Sequence, residues 1–358
     1  MISFLHCADL HLDSSFSYLF DKEKKKQRNI ELRSSIEKML FFAKEKQVDF
    51  ILISGDVFDN ENATLQTCRY VDQLFSNIHC PIIIILGNHD KVGGSSLLMN
   101  YSFSSNVTIL NEETRQFTYQ NVKIHYGDST FFNQPLEENF DHILMWHGDL
   151  AATMLKDGEN PLSLNFLDSK KVIYVAMGHI HQYQTKQHNQ TLIVYPGCLM
   201  GRGFDELNQK GFIYNELQDH QIISSFIPLK NRMYKEIKID VSDKKEDESI
   251  QTFIVESFKE KMQSIEDYHK HLYKVVLTGR VKENFDFELA HLDLEEKLNL
   301  YYVEIKNRIQ LDETEIENEL LKQFIKLMDE KIKNCLESEK EVFLRAKELG
   351  IKAFNQNK

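Results

Sequence analysis

Five short polar clusters hold the residues best suited to chemistry, and each follows directly on an apolar run. They are CADLHLD with Asp9 and His11, SGDVFD with Asp56 and Asp59, and LGNHD with Asn88, His89 and Asp90. MWHGD with His147 and MGHIHQ with His179 and His181 complete the set. Aspartate, histidine and asparagine offer oxygen and nitrogen donors without thiolate, which suits manganese, magnesium, iron or zinc. Residues two apart in an extended chain face one side, so Asp9 with His11, and His179 with His181, can grip one object. So many donors exceed one tetrahedral site. They suit two octahedral-like cations that share a carboxylate and leave positions open for water and substrate. Such pairs lie about 3.5–4 Å apart and act on phosphoryl centres by in-line displacement. One cluster alone would read as a loop or a helix cap; five in order, each at the end of an apolar run, point to a site.

Those clusters can meet only if the runs before them are strands whose carboxyl ends share one crevice. ISFLH (2–6), VDFILIS (48–54), PIIIIL (81–86), VKIHYG (122–127), HILMWHG (142–148), KVIYVAMG (171–178) and QTLIVYPG (190–197) all read as strands. Glycines before Asp56, Asn88 and His179 permit the tight backbone such a break needs. Between the first two strands, residues 21–46 carry Ile30, Ile36, Met39, Leu40 and Ala43 at helical spacing. This alternation is α/β, and the thinning of helices after residue 105 predicts more antiparallel strands in the second half. A boundary falls near residue 230. Beyond it, a strand (233–240), the charged patch VSDKKEDESIQ (241–251), a helix (250–264) and strands at 271–279 and 300–307 suggest a small α+β domain over 231–310. Residues 311–350 read as wholly helical, with Ile316, Leu320, Phe324, Leu327, Met328 and Ile332 on one side.

The chain has 358 residues and a formal charge of −12, which weighs against phosphate contacts made by Lys and Arg alone. Bound divalent cations would offset part of it in the first half. The five cysteines are scattered with no C-x-x-C pair, as expected of reduced thiols. No apolar run reaches the roughly 20 residues a membrane span needs. The start of the chain lacks the pattern of a secretory signal, so the expected location is cytoplasmic.

The order Asp-x-His, Gly-Asp, Gly-Asn-His-Asp, His, Gly-His-x-His resembles the calcineurin-like metallophosphoesterase superfamily. The segment YPGCLMGRGFDELNQKGF (195–212) is similar to its DNA repair nuclease branch, which includes the SbcD-like and YhaO-type proteins. The motifs cover residues 1–215. The resemblance implies a two-sheet β-sandwich core flanked by helices over residues 1–230, a capping domain over 231–310, and C-terminal helices over 311–358 that bind a partner. It implies Asp9, His11 and His181 on a first metal, Asn88, His147 and His179 on a second, and Asp56 bridging both. Manganese is the metal expected by analogy, with Mg2+, Fe2+ or Zn2+ as alternatives. A hydroxide held between the metals would attack phosphorus, His89 would protonate the leaving oxygen, and Asp90 would orient His89. The implied activity is hydrolysis of DNA phosphodiesters, by an exonuclease in repair. The implied partners are DNA and a coiled-coil ATPase of the SMC-like, YhaN type, with room for a homodimer.

The sequence departs from the branch at Asp59, where archaeal members carry His, and at Cys198, where the branch has Ser. Arg202 reads equally as a phosphate contact or a structural ion pair. His6, His125, His142 and His188 read as structural or exposed. Asp13 and Asp149 are equally partners of ligating histidines or loop caps. The basic run KEKKKQR (22–28) reads first as a solvated helix face. A phosphodiesterase of small or cyclic nucleotides, and a scaffold without activity, are the competing readings.

Overall fold

Four consecutive isoleucines, buried on both faces, make Ile82–Ile85 the interior strand its sequence suggests. It is the third strand of a computed structural model that describes residues 1–59, 63–90, 96–151, 160–242, 250–281, 293–311 and 318–356. The chain divides into two units, Met1–Met233 and Tyr234–Lys358.

The first unit runs β1 (Ile2–Cys7), α1 (Lys22–Lys46), β2 (Phe50–Ser54), α2 (Leu65–Ser76), β3 (Ile82–Ile85), α3 (Leu97–Asn100) and β4 (Val107–Leu110). There follow β5 (Gln116–Tyr119), β6 (Val122–Tyr126), β7 (Asp141–His147), β8 (Leu150–Ala151), β9 (Leu162–Ser163), α4 (Leu164–Leu167) and β10 (Val172–Gly178). β11 (Gln184–His188), β12 (Thr191–Tyr195), β13 (Gly211–Gln218) and β14 (Gln221–Pro228) complete it. Two six-stranded sheets form, ordered β14-β13-β1-β2-β3-β4 and β11-β12-β10-β7-β6-β5. Their inner faces share one core, in which Phe4, Phe50, Ile83 and Ile213 meet Ile143, Met145, Tyr174 and Val194. The fold is thus mixed α/β with two packed sheets. The antiparallel pairing lies in β5–β6, β11–β12, β13–β14 and β1–β13, whereas β6, β7, β10 and β12 run parallel. That parallel centre puts the ends of β7 and β10 on one edge, just as β1, β2 and β3 end together in the other sheet.

Helix α1 starts where Asp21 accepts from the amides of Glu23 and Lys24, and stops at Gln47 in a left-handed conformation. It buries Arg28, Leu32, Ser35, Ile36, Met39, Leu40 and Ala43, a face repeating every three or four residues. Ile30 falls two positions off that face and is 51% exposed, contrary to the expected stripe. Arg28, from the basic run, is fully buried on Glu31 and the Gly201 carbonyl, so it belongs to the interior and not to a solvated face.

The second unit contains β15 (Tyr234–Asp240), α5 (Ile250–Met262), β16 (Leu272–Thr278), β17 (Arg280–Val281), α6 (Leu294–Leu298), β18 (Tyr302–Asn307), β19 (Gln310–Leu311), α7 (Glu319–Asn334) and α8 (Lys340–Gln356). β15, β16 and β18 form a parallel sheet. Leu321 and Ile325 of α7 and Ile351 of α8 join the core of that sheet and α5, so the C-terminal helices pack as part of this unit. The buried face of α7 is Leu321, Ile325 and Met328, while Leu320 and Leu327 face out at 67% and 53% exposure. The expected single apolar side therefore splits. Ile316 and most of the charged patch 241–251 lie outside the described residues.

Candidate metal centre

Each cluster lies where its strand ends. Asp9 follows β1, Asp56 follows β2, Asn88 follows β3, His147 closes β7, and His179 follows β10. The loops after β1 and β2 are tied together by Asp9 N to the Gly55 carbonyl (3.1 Å) and His11 N to the Asp56 carbonyl (2.9 Å). Asp9, His11, Asp56 and His179 all have positive φ (53°, 43°, 52° and 97°), a strained region for residues with a Cβ. Gly55 has φ +89°, and a Cβ on Gly178 would strike the Ser54 carbonyl and His147 Nδ1. Close approach of the two sheets at this edge thus requires glycine.

The side chains converge. Ligand atoms of Asp9, His11 and His181 lie within 4.8 Å of one another, as do those of Asp9, Asp56 and His147, and those of His11, Asp56 and His89. Asp56 Oδ2 stands 3.5 Å from His11 Nε2 and 3.4 Å from His147 Nε2, between the two sides. His147 Nε2 is 2.8 Å from Asn88 Oδ1, and His11 Nε2 is 3.2 Å from His181 Nε2. His179 reaches the site differently. Its backbone amide donates to Asp9 Oδ1 (3.0 Å), and its ring lies 5.5 Å from that of His147, with Nε2 3.9 Å from Asp149. Asp149 is thus beside a candidate ligand, whereas Asp13 is engaged by Arg33 and Thr67.

Burial pushes the Asp9 carboxyl up to about 6 against the pull of His147 and His181. Burial also pushes on Asp56, but the His147 hydrogen bond and the charges of His147, His11 and His89 bring it down to about 2. For His147 burial works downward, and the Asp56 hydrogen bond and the Asp56 and Asp9 charges raise it to about 9. A negative pocket with imidazole nitrogens turned inward is what a cation would find.

The calcineurin-like phosphoesterase profile matches residues 2–183. The chain belongs to this family. It is also 27% identical over 263 residues to a protein of Bacillus subtilis (strain 168) described as the uncharacterized metallophosphoesterase YhaO. That alignment takes in 68% of this chain and 64% of the relative, so the chain spans less than two thirds of that relative's length. Among solved structures, GAP50, the anchor in the inner membrane complex of Plasmodium, has a TM-score of 0.43 at 14% identity, covering 65% of this chain and 86% of that one. TT1561 of Thermus thermophilus has a TM-score of 0.40 at 11% identity, covering 63% and 98%. Calcineurin-like phosphoesterases are metal-dependent hydrolases, and the residues present fit that requirement. Asp9 Oδ2 is buried without a hydrogen-bond partner, and two imidazole nitrogens face each other at 3.2 Å. Buried groups left this way cost free energy that a shared cation would recover.

Two expected roles change in this calcineurin-like site. Asp90 does not orient His89. Its carboxylate, 1% exposed, accepts from the amides of Gly87 (3.0 Å), Phe58 (3.3 Å) and Val57 (3.4 Å). Burial raises it to about 7 despite the Gly87 amide. The reason is geometric: the turn after β3 points the carboxylate inward, where it holds the loops carrying Asp56 and Asn88. His89 instead has Asp59 at 4.0 Å from Nδ1, its amide on Asp56 Oδ1 (2.9 Å), and a 46% exposed side chain. Arg202 is committed to Glu206 through Nε (3.2 Å) and Nη2 (2.8 Å), the ion-pair reading. Sequence reasoning missed Glu206. It is 4% exposed and accepts from His181 Nδ1 at 2.7 Å. Arg202 Nη2 also lies 3.1 Å from that nitrogen, but both contacts cannot be donated bonds; Nδ1–H to the carboxylate is the one we take, because it frees Nε2 for a ligand. Burial opposes ionisation of Glu206, yet the His181 hydrogen bond and the Arg202 charge hold its carboxyl well below the usual range. Nothing in GFDEL marked that acid as buried. The structural readings of His6 and His125 agree with their burial.

Among the described residues, no helix is long and apolar enough to cross a membrane.

Proposed function

We propose that the chain is a two-metal phosphodiesterase that hydrolyses DNA, acting as an exonuclease in repair. The observation that carries the reading is the convergence of Asp9, His11, Asp56, Asn88, His147 and His181 from five strand ends, with the exposed His89 ring at its mouth. His179 joins them through its ring beside His147. DNA as substrate is supported by the likeness of residues 195–212 to the nuclease branch and by the second unit beyond the phosphoesterase core. Manganese is the metal favoured by the same likeness.

Asp9, His11 and His181 would hold one cation, Asn88, His147 and His179 the other, with Asp56 between them. When bound, divalent ions supply Lewis-acid stabilisation of charge developing at phosphorus and lower the pKa of the attacking water. His89, with its side chain 46% exposed, would donate a proton to the leaving oxygen, and its amide bond to Asp56 Oδ1 ties its backbone to the carboxylate between the two sides of the site. Asp59 is the acid nearest that ring, 4.0 Å from Nδ1, where its charge favours the protonated imidazole that a general acid requires. The exposed leucines of α7 are the surface through which a coiled-coil ATPase of the SMC-like type would dock, with a homodimer as the other assembly this face could serve.

The test is manganese-dependent cleavage of end-labelled duplex DNA by the wild type and by His89→Ala, beside bis-p-nitrophenyl phosphate. Retained metal and DNA binding with cleavage reduced by about 10²–10⁴-fold is expected. Loss of metal from His89→Ala would make that residue a ligand. Turnover of the small ester without cleavage of DNA would establish a small-substrate phosphodiesterase instead.

A further inference from the structure

Beneath the candidate metal centre the interior holds a polar chain that the chemistry above does not use. His6 of β1 is fully buried. Its Nδ1 lies 2.9 Å from the Tyr174 hydroxyl, and its Nε2 lies 3.1 Å from both Ser54 Oγ and the Met177 carbonyl. The Asn215 amide donates to the Tyr174 hydroxyl (3.4 Å), and Ser54 Oγ donates to the Ala176 carbonyl (3.0 Å). One tautomer accommodates every contact. Ser54 gives its proton to Ala176 and so receives one from Nε2–H, which is shared with Met177; Nδ1 then accepts from Tyr174.

These partners stand on both sheets, with His6, Ser54 and Asn215 on one and Tyr174, Ala176 and Met177 on the other. A hydrocarbon at position 6 would fill the same space without the desolvation cost of a buried imidazole. It could not hold Ser54. Ser54 is the junction: its hydroxyl belongs to this chain, while its carbonyl accepts from His147 Nδ1 at 2.8 Å. That bond turns His147 Nε2 towards Asn88 Oδ1 and Asp56 Oδ2. The backbone of Gly178, one residue before His179, packs against the same carbonyl.

We propose that His6 is a positioning residue for the metal centre: by fastening Ser54 between the two sheets it fixes the reach of His147 and the separation between the ligands each sheet carries. The inference rests on the metal-site reading and extends it to a residue that touches no ligand.

The experiment titrates wild type, His6→Leu, His6→Gln and Ser54→Ala with Co2+ alone, followed by calorimetry and visible absorption, with circular dichroism to establish folding. We expect His6→Leu to lose about tenfold or more in Co2+ affinity, in line with the removal of outer partners of metal ligands, and to change its ligand-field spectrum. His6→Gln, whose amide nitrogen can stand where Nε2 stands, recovers most of that loss. Should His6→Leu fail to fold, Ser54→Ala removes one hydroxyl at the same junction and is expected to weaken binding likewise. Wild-type affinity and spectrum in His6→Leu, or in Ser54→Ala where His6→Leu does not fold, would overturn the proposal, as would His6→Gln being no better than His6→Leu. A wild type that takes up no Co2+ would defeat the metal-site reading itself.

Discussion

Glu206 and Asp90 show how two buried carboxylates serve one site without being ligands. Glu206 holds His181 by its ring, and Lys210 holds the carbonyl of the same residue at 2.8 Å. Glu206→Gln keeps the shape but removes the charge that favours Nδ1–H, so Mn2+ affinity measured by calorimetry should fall by about 10–100-fold. Asp90 acts on the backbone. Asp90→Ala leaves the amides of Gly87, Val57 and Phe58 without their acceptor, which should cost about 2–4 kcal/mol in urea unfolding. Metal binding should weaken along with it, because the loops bearing Asp56 and Asn88 lose their common anchor. An unchanged unfolding midpoint for Asp90→Ala would return that residue to a role at the His89 ring.

Among the elements, the helices of the second unit carry the clearest consequence. Leu321, Ile325 and Ile351 lie in its core, so truncation before α7 would strip that core as well as any docking surface. Leu320 and Leu327, one pair of turns apart on the outward side of α7, can be changed without opening the core. If the proposed coiled-coil ATPase docks there, Leu320→Glu with Leu327→Glu should abolish its co-purification and leave the thermal midpoint within about 1–2 °C, since surface changes cost little stability. Retained association would place the partner elsewhere. The same helix explains a limit of periodicity. Residues 320, 324 and 327 and residues 321, 325 and 328 both repeat at helical spacing, and only the packing of α7 onto its sheet chooses between them.

At the scale of the whole molecule, buried histidines set the response to acid. Burial lowers His6 to about 3, against the Met177 hydrogen bond, and lowers His125 to about 4 with help from His142. A histidine whose folded pKa is depressed keeps its full contribution above the unfolded value near 6.5 and loses it as pH falls towards the folded one. Each such residue costs about 1.4 kcal/mol per pH unit in that window. Asp9 and Asp90, raised to about 6 and about 7, act in the opposite sense as pH falls through those values. Burial lowers His11 as well, so opposing contributions overlap in the wild-type profile and a difference measurement is needed. Between about pH 6 and pH 4, urea unfolding of His6→Gln should fall less steeply than wild type, by about 1.4 kcal/mol per unit. Parallel profiles would show that His6 is not neutral in the fold.

The amino-acid sequence by itself determined the strands and their terminal clusters, because apolar runs broken by Asp, His and Asn admit few other readings. It also determined which residue types meet, and with them the family. It did not determine the rims: β4, β5, β11 and β14 are short or half exposed, so their patterns are weak. Tertiary structure alone decided that Asp90 faces the backbone, that Arg202 pairs with Glu206, and that His6 spans two sheets. Each of these is a contact between residues distant along the chain or a choice of side-chain direction in a turn. Such choices are made by packing, and no local pattern of residues encodes them.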